Sequence, residues 1–419
     1  MQDRPIYHAK VVCTMACYDN YTLFWHTKEF VKFEKVIDLQ WENIVYVKDE
    51  NREDAYKNYR GIGKDVVHVS WGQQNVTRLL KAAHLNERNI KLTGHVGMDF
   101  LRSPLNRYYL SREELFPRYD LPLDKKIILF ASPYYGDQLS QDYIKGMCER
   151  FGDDWTEYYK FMCDSQQIVL DWFEKVCKEN PDIIVVFRPH PGHPSGVAEK
   201  LSNRYSNFRI ISGESVKQWI VTCDEIYTGN SSVVVEAFFA KKMCQLLFPL
   251  PTTPGFELKL ITDSMKITSY EEFRQSVFSG NQEFPTPKES IEEIYLIDWK
   301  TPNYIKFANM AEKVFQDDSY RLTRKQLKDY KEYNRDEKRV RAFVNTPVIY
   351  DIYLSLLKDQ KLQSNFLRNQ RRIRKEKYDY LREFEKQHEH ELTSEEEIDS
   401  IINRIKYALE DRDRQEKIK

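Results

Sequence analysis

Two stretches of this chain carry residue types and spacings suited to a phosphate-bearing ligand. The first is Ile183 to Phe187 (IIVVF), followed at once by Arg188, Pro189, His190, Pro191 and Gly192. Five apolar residues, four of them β-branched, read as a strand buried on both faces. A buried parallel strand that runs into a charged, Pro-stiffened loop is where open α/β sheets place ligands. A guanidinium and an imidazole at that point can donate charge-assisted hydrogen bonds to phosphate. The second stretch follows some forty residues on. Asp224 to Thr228 reads as a short strand, Gly229-Asn230-Ser231-Ser232 as a tight polar turn, and Val233 to Lys242 as a helix. Asn and Ser are strong N-caps, and free N–H groups with partial positive charge at a helix start favour an anion. Glu236 stands one turn into that helix, where its carboxylate can accept from hydroxyls.

Each residue has a structural alternative. Arg188 and His190 can lock their own loop, Ser231 and Ser232 can be an ordinary cap, and Glu236 can be a solvated or dipole-pairing side chain. Transfer chemistry also needs a carboxylate base or nucleophile. Asp19 lies just beyond the first strand and is the first choice. Asp99 and Asp137, each in a loop after a strand, are the alternatives, and a turn-capping role competes for Asp19. His193 follows His190 by three residues, but the intervening Pro and Gly give no regular face for a metal pair, and no metal site is expected. The seven cysteines are scattered without zinc-like pairs, and the close pair Cys13 and Cys17 is expected to be buried thiols of a reducing cytoplasm. Trp25 and Trp41 are expected in the core.

The elements that must position these residues follow from the apolar pattern. Ala9–Met15, Lys35–Trp41, Asp65–Trp71 and Ile90–Val96 read as strands, with helices over Thr22–Phe33 and Gln73–Leu85. Residues 102–125 carry Pro and charge without a long apolar pattern and read as a linker. Lys126–Ser132 opens a second run: a long helix Trp155–Glu179 stopped by Asn180-Pro181, the strand ending at Arg188, a strand Phe208–Ser212, a helix Gly213–Thr222, the Asn-Ser-Ser turn and a strand Cys244–Pro249. Ser269 with Glu272 has capping-box spacing and starts a helix to Phe278, and Tyr304–Phe315 is a last short helix. Strands alternating with helices imply parallel sheets with crossovers.

At 419 residues the chain has room for two domains. The division expected is an acceptor-side α/β domain over 1–101, a linker over 102–125, a nucleotide-binding α/β domain over 126–318 and a helical extension over 319–419. In that extension glycine disappears and charges dominate. Val348 to Leu357 form an apolar helical stripe, Arg368 to Lys375 a basic cluster, and Ser394 with Glu397 caps a helix carrying Ile398, Ile401, Ile402, Ile405 and Leu409. Such a tail can hold the inner membrane face or pack on the domains or a partner subunit. A net charge of −1 gives no field to draw nucleic acid. No apolar run reaches the length of a membrane span and the N-terminus lacks a signal-peptide plan, so a cytoplasmic location is expected, peripheral at the inner membrane if the tail binds lipid.

Trp71-Gly72, Thr93-Gly94-His95-Val96-Gly97-Met98-Asp99, the Arg188-Pro189-His190-Pro191 loop, and Asn230-Ser231-Ser232 with Glu236-Ala237 resemble the bacterial surface-carbohydrate biosynthesis proteins. These are similar to GT-B glycosyltransferases, and the His-Pro and Ser-Ser elements resemble those of sialyl-, polysialyl- and Kdo-transferases. The resemblance implies two Rossmann-like domains facing a cleft, with the helical tail as an addition. It implies a CMP-activated acidic sugar donor, and a glycan or lipid-linked glycan acceptor. His190 would contact the nucleotide phosphate, and the serines its oxygens. No cofactor is implied. The usual fourth-strand motif is closer to Gly-Asn-Pro than to Gly94-His95-Val96, and the first domain is short by about one βαβ unit. Two alternatives stand beside this: transfer of polyol phosphate from a CDP-polyol, and a catalytically silent partner subunit.

Overall fold

A computed structural model describes residues 7–27, 31–40, 43–50, 59–81, 83–134, 139–151, 155–190, 196–280, 283–344 and 394–416. Asp137, Pro191, His193, Trp41, the Val348–Leu357 stripe and the Arg368–Lys375 cluster lie outside the described residues, as does the side chain of Trp25.

Nine strands form two wholly parallel sheets among these residues. The first, in the order β1-β2-β3-β4, comprises β1 (Tyr7–Thr14), β2 (Val31–Asp38), β3 (Val67–Ser70) and β4 (Ile90–Leu92). The second contains β5 (Lys126–Ala131), β6 (Ile183–Arg188), β7 (Phe208–Ile210), β8 (Glu225–Thr228) and β9 (Cys244–Leu246), in the order β7-β6-β5-β8-β9. The chain leaves β5 in one direction to build β6 and β7, then returns to its other side for β8 and β9. That reversal between β5 and β8 is the topological switch point at which open α/β sheets bind ligands. The first sheet adds its strands in simple succession and has no such point.

Apolar β-branched residues explain the second sheet. Ile183 to Phe187 are all buried and register with β5 from Lys126↔Ile183 to Ala131↔Arg188. The helix Trp155–Glu179 covers one face, burying Tyr158, Phe161, Met162, Val169, Phe173 and Val176 at helical spacing. The other face shares one apolar cluster with the first sheet: Ile37, Val67, Val69 and Trp71 pack with Leu129, Val186, Ile226 and Val234.

Several expectations are corrected. The helix over Thr22–Phe33 is Asn20–Thr27, and Val31 already belongs to β2, paired with Tyr7. The alternation in VKFEKVID and the register with β1 decide that end. The fourth strand stops at Leu92, and Val96–Asp99 is a helical turn capped by His95. Residues 102–125 are built of helical turns, Leu105–Tyr108, Arg112–Leu115 and Phe116–Tyr119, with Leu105, Leu115, Phe116 and Leu121 buried. Single turns are too short to show apolar periodicity in sequence.

The chain also crosses back. Helices Lys288–Ile294 and Asn303–Gln316, expected with the second unit, pack on the first, against the helix Gln73–Lys81 and against β1 and β2. Fully buried Lys35 of β2 fixes this return by donating to the carbonyls of Val314 (2.9 Å), Phe315 (2.9 Å) and Asp317 (3.0 Å) at the end of the second helix. The helical extension starts on the same side: in the helix Arg324–Val344, Tyr330 contacts Phe33 and shares a hydrogen bond with Thr27. The last described helix, Glu395–Glu416, carries the Ser394/Glu397 cap pair and lies on the Leu105–Tyr108 turn, where Arg404 donates to the Tyr108 carbonyl. Its Ile398, Ile401 and Ile402 are exposed. No helix among the described residues is long and apolar enough to cross a membrane.

Candidate functional site

The loops after β2, β3, β4, β6 and β8 converge on one cavity of about 660 Å³. From the first unit come Leu39, Asn43, Tyr46, Trp71 and the run Gly94–Met98; from the second come His190, Lys217, Asn230, Ser231, Ser232 and Glu236. The sequence therefore places His190, Asn230, Ser231, Ser232 and Glu236 together.

At the switch point, Thr228 of β8 donates to the Ala131 carbonyl of β5 (2.8 Å), which fixes the origin of the Gly229–Ser232 turn. The Ser231 amide donates to Gly229 (2.8 Å), and the Ser231 hydroxyl accepts from the Val233 amide (3.3 Å). Ser232 occupies the N-cap of Val233–Phe239 without using its hydroxyl as a cap. Asn230 is committed to structure: its amide nitrogen donates to Phe256 (2.8 Å) and its oxygen accepts from Leu258 (2.9 Å). It thereby holds the segment 255–259 that pairs with the first unit.

Arg188 takes the loop-locking role. Its guanidinium donates to the Gly213 carbonyl (2.6 Å) and to the Glu214 carbonyl, and it does not line the cavity. What this bond positions is the start of the helix Val216–Thr222, and with it Lys217. Asp19 is likewise engaged elsewhere. Its carboxylate accepts from the Thr22 amide and hydroxyl, both at 2.9 Å, and pairs with Arg60 at 3.1 Å. It is a helix cap, and it too is not among the cavity's lining residues. Asp99, buried, accepts from Arg102 (2.8 Å) and from the Tyr304 amide (2.6 Å), and so ties the His95 turn to the start of Asn303–Gln316.

Two polar cavity residues, His95 and Lys217, carry no chemical role in the sequence reading. His95 accepts a hydrogen bond at Nδ1 from the Gly97 amide (2.8 Å) and lies 4.1 Å from the Trp71 ring, centroid to centroid. Gly97 makes this geometry possible: a Cβ there would stand 2.5 Å from His95 Cε1. Burial, reinforced by the Lys217 cation, pushes the His95 imidazole down to about 3, so it is neutral near pH 7. Lys217 reaches from the second unit, its ammonium 3.5 Å from the Glu236 carboxylate. Burial raises the Glu236 pKa against the pull of Lys217, and Glu236 Oε2 is buried without a hydrogen-bond partner. Glu236 is the one carboxylate among the cavity's lining residues. His95 had a signal in sequence, since it interrupts the expected Gly-Asn-Pro pattern. Lys217 had none, because its place depends on Arg188 holding the preceding loop. No group of three side chains suited to a metal ion occurs among the described residues.

Two parallel α/β units opening on a shared cavity, with terminal helices crossing back to the first, form a GT-B-like fold with a helical C-terminal region. No protein-family model matches the chain, and no curated protein matches it. Among solved structures it is similar to a variant of the wall teichoic acid polymerase TagF soaked with CDPG: 16% identity over 73% of this chain and 72% of that one, TM-score 0.45. It is also similar to a UDP-N-acetylglucosamine 2-epimerase, with 15% identity over 75% and 73% of the chains and TM-score 0.40. The S. aureus MnaA–UDP structure aligns over 74% and 73% at 12% identity and TM-score 0.39.

Proposed function

We propose that this chain is a GT-B-type glycosyltransferase that moves a CMP-activated acidic sugar onto a bacterial surface polysaccharide or lipid-linked glycan. The observation that carries the reading is the convergence of His190 and Ser231–Ser232, from two strand ends of the second sheet, on a cavity walled by Trp71 and Gly94–Met98 of the first. Nucleotide binds on the second unit, with its phosphate at His190, Ser231 and Ser232 and a ribose hydroxyl donating to Glu236. The acceptor enters from the first unit. In the transfer the acceptor oxygen bonds to the anomeric carbon, the carbon–oxygen bond to phosphate breaks, CMP leaves with the electron pair, and the acceptor proton passes to a base. His190 stabilises the charge that grows on the leaving phosphate. Asp19 caps the helix Asn20–Thr27 and does not line the cavity, so this reading assigns the proton to no named base.

The second reading, transfer of polyol phosphate from a CDP-polyol, is supported by the presence of Lys217 as a further cation beside that cradle. There the diphosphate bond breaks, CMP leaves and the product gains a phosphodiester. A silent partner subunit would bind nucleotide and turn nothing over. A thermal-shift screen with CMP, CDP, UDP and GDP tests the common ground. CMP or CDP at about 100 times its Kd adds roughly 2.7 kcal/mol of stability, with no shift from UDP or GDP. A shift with UDP alone overturns the cytidine reading.

A further inference from the structure

We propose that Lys217 and His95, one from each unit, form an oxyanion subsite for a second anionic group of the ligand, a carboxylate or a phosphate. This rests on the reading above, in which the first phosphate belongs to His190 and the serines.

His95 and Lys217 both hold donors that the protein leaves unused. His95 Nδ1 is occupied as an acceptor by the Gly97 amide. A neutral imidazole with its lone pair at Nδ1 so engaged carries its proton at Nε2 and can only donate from that nitrogen. It therefore cannot act as the base, and it offers the cavity one N–H. Lys217 has three N–H donors, and its ion pair with Glu236 spans 3.5 Å, well beyond the roughly 2.7–2.9 Å of a tight N–H to carboxylate bond. The ammonium is thus loosely held and free to serve a better-placed anion.

The two groups are neighbours. Lys217 Nζ lies 3.5 Å from where a Cβ of Gly97 would stand, and the same point is 3.0 Å from His95 Nδ1. Both line the cavity. A second, independent observation points to a ligand at this end: Glu236 Oε2 is buried, unpartnered and in the same wall. A buried carboxylate oxygen without a donor is costly unless a ligand supplies one. A ligand whose anion meets Lys217 while its ribose hydroxyl donates to Glu236 satisfies both. Acidic sugars on CMP and polyols on CDP each have that chemistry.

The test is titration calorimetry on the full chain with CMP, CMP-N-acetylneuraminic acid and CDP-glycerol. Wild type should bind one of the two-anion probes more tightly than CMP, and which one it is names the anion. Lys217→Met and His95→Ser should each weaken that probe tenfold or more while leaving CMP within about twofold. Ser can still cap the turn at Gly97 but does not replace the imidazole donor. His95→Asn, which can both cap and donate, should recover most of the loss, and melting curves confirm that each variant is folded. Unchanged binding of the two-anion probe by Lys217→Met and His95→Ser overturns the proposal, as does an equal loss of CMP. If wild type binds CMP but neither probe more tightly, the subsite alone falls. If wild type binds no cytidine nucleotide, the underlying functional reading falls and the subsite with it.

Discussion

Tyr46 and Leu258 pair backbone to backbone, antiparallel, across the boundary between the two units. Around them the Val47 amide donates to Glu257 (2.8 Å), Lys48 to Gly255 (3.0 Å) and Lys259 to Val45 (3.1 Å). The Tyr46 ring lies against Phe256 and Tyr158, and the Lys48 ammonium sits 3.5 Å over the Phe256 ring. This clasp fixes one side of the cavity with main-chain bonds. Gly255 has φ +81°, and a Cβ there would stand 2.9 Å from Lys48 Cβ. Gly255→Ala should therefore cost about 1–2 kcal/mol. Urea unfolding checks this, and an unchanged midpoint would show that the clasp adapts.

Lys35→Met should destabilise by about 2–4 kcal/mol, because several carbonyls at the end of Asn303–Gln316 lose their donor together. Chemical denaturation measures it. A loss below 1 kcal/mol would mean that water reaches those carbonyls.

Asp19 separates two hypotheses by a simple pair of variants. As a helix cap it should tolerate Asp19→Asn almost without loss, since Asn caps equally well and the Arg60 partner is exposed. Asp19→Ala should cost about 1 kcal/mol. Neither should alter nucleotide affinity or turnover. A folded Asp19→Asn protein that binds nucleotide but transfers nothing would restore Asp19 to the catalytic site.

His95 predicts a pH dependence with a definite sign. In the unfolded chain its imidazole takes up a proton near pH 6.5, whereas in the folded chain it resists down to about 3. Between those values the unfolded state binds more protons, so stability falls as pH falls, by up to about 1.4 kcal/mol per pH unit. Comparing wild type with His95→Asn from pH 7 to pH 5 isolates the term. Parallel curves would show that His95 already protonates in the folded protein.

His190 and Arg188 leave the same strand with opposite expectations. His190→Ala should lower turnover on the order of 10²-fold or more with the fold intact, since it removes a donor at the leaving phosphate. Arg188→Ala should instead lower stability by about 1–3 kcal/mol and affect binding only through the 213–217 segment. If saturating donor fails to restore turnover in Arg188→Ala, the guanidinium has a direct role.

The strands were legible because their residues are apolar in runs that only a doubly covered sheet accommodates. IIVVF at β6 and the helix Trp155–Glu179, found with its expected ends, show this. In the second unit's half of the cavity, His190, Asn230, Ser231, Ser232 and Glu236 were legible because they follow strand ends. What stayed hidden depends on contacts distant in sequence. Lys35 in a strand looks like a solvent-facing residue until residues 314–317 arrive beside it. Arg188 looks like a phosphate ligand until the carbonyls of Gly213 and Glu214 are seen to occupy it. Lys217 becomes a cavity residue only as a result of that bond. Asp19 reads both as a turn former and as the first-choice catalytic carboxylate, because strand-end position alone does not distinguish a cap from a base; the structure shows the cap.

The return of residues 288–317 to the first unit sets an order of assembly on the ribosome. β1 and β2 emerge first, yet the buried ammonium of Lys35 finds its carbonyl acceptors only after some 280 further residues have been made. Until then the unit made first lacks the two returning helices that complete its cover, while the unit made second already has its β5–β9 sheet and its long helix in hand. The N-terminal unit is therefore the last to be completed, and the nascent chain is most exposed to misassociation through its earliest strands.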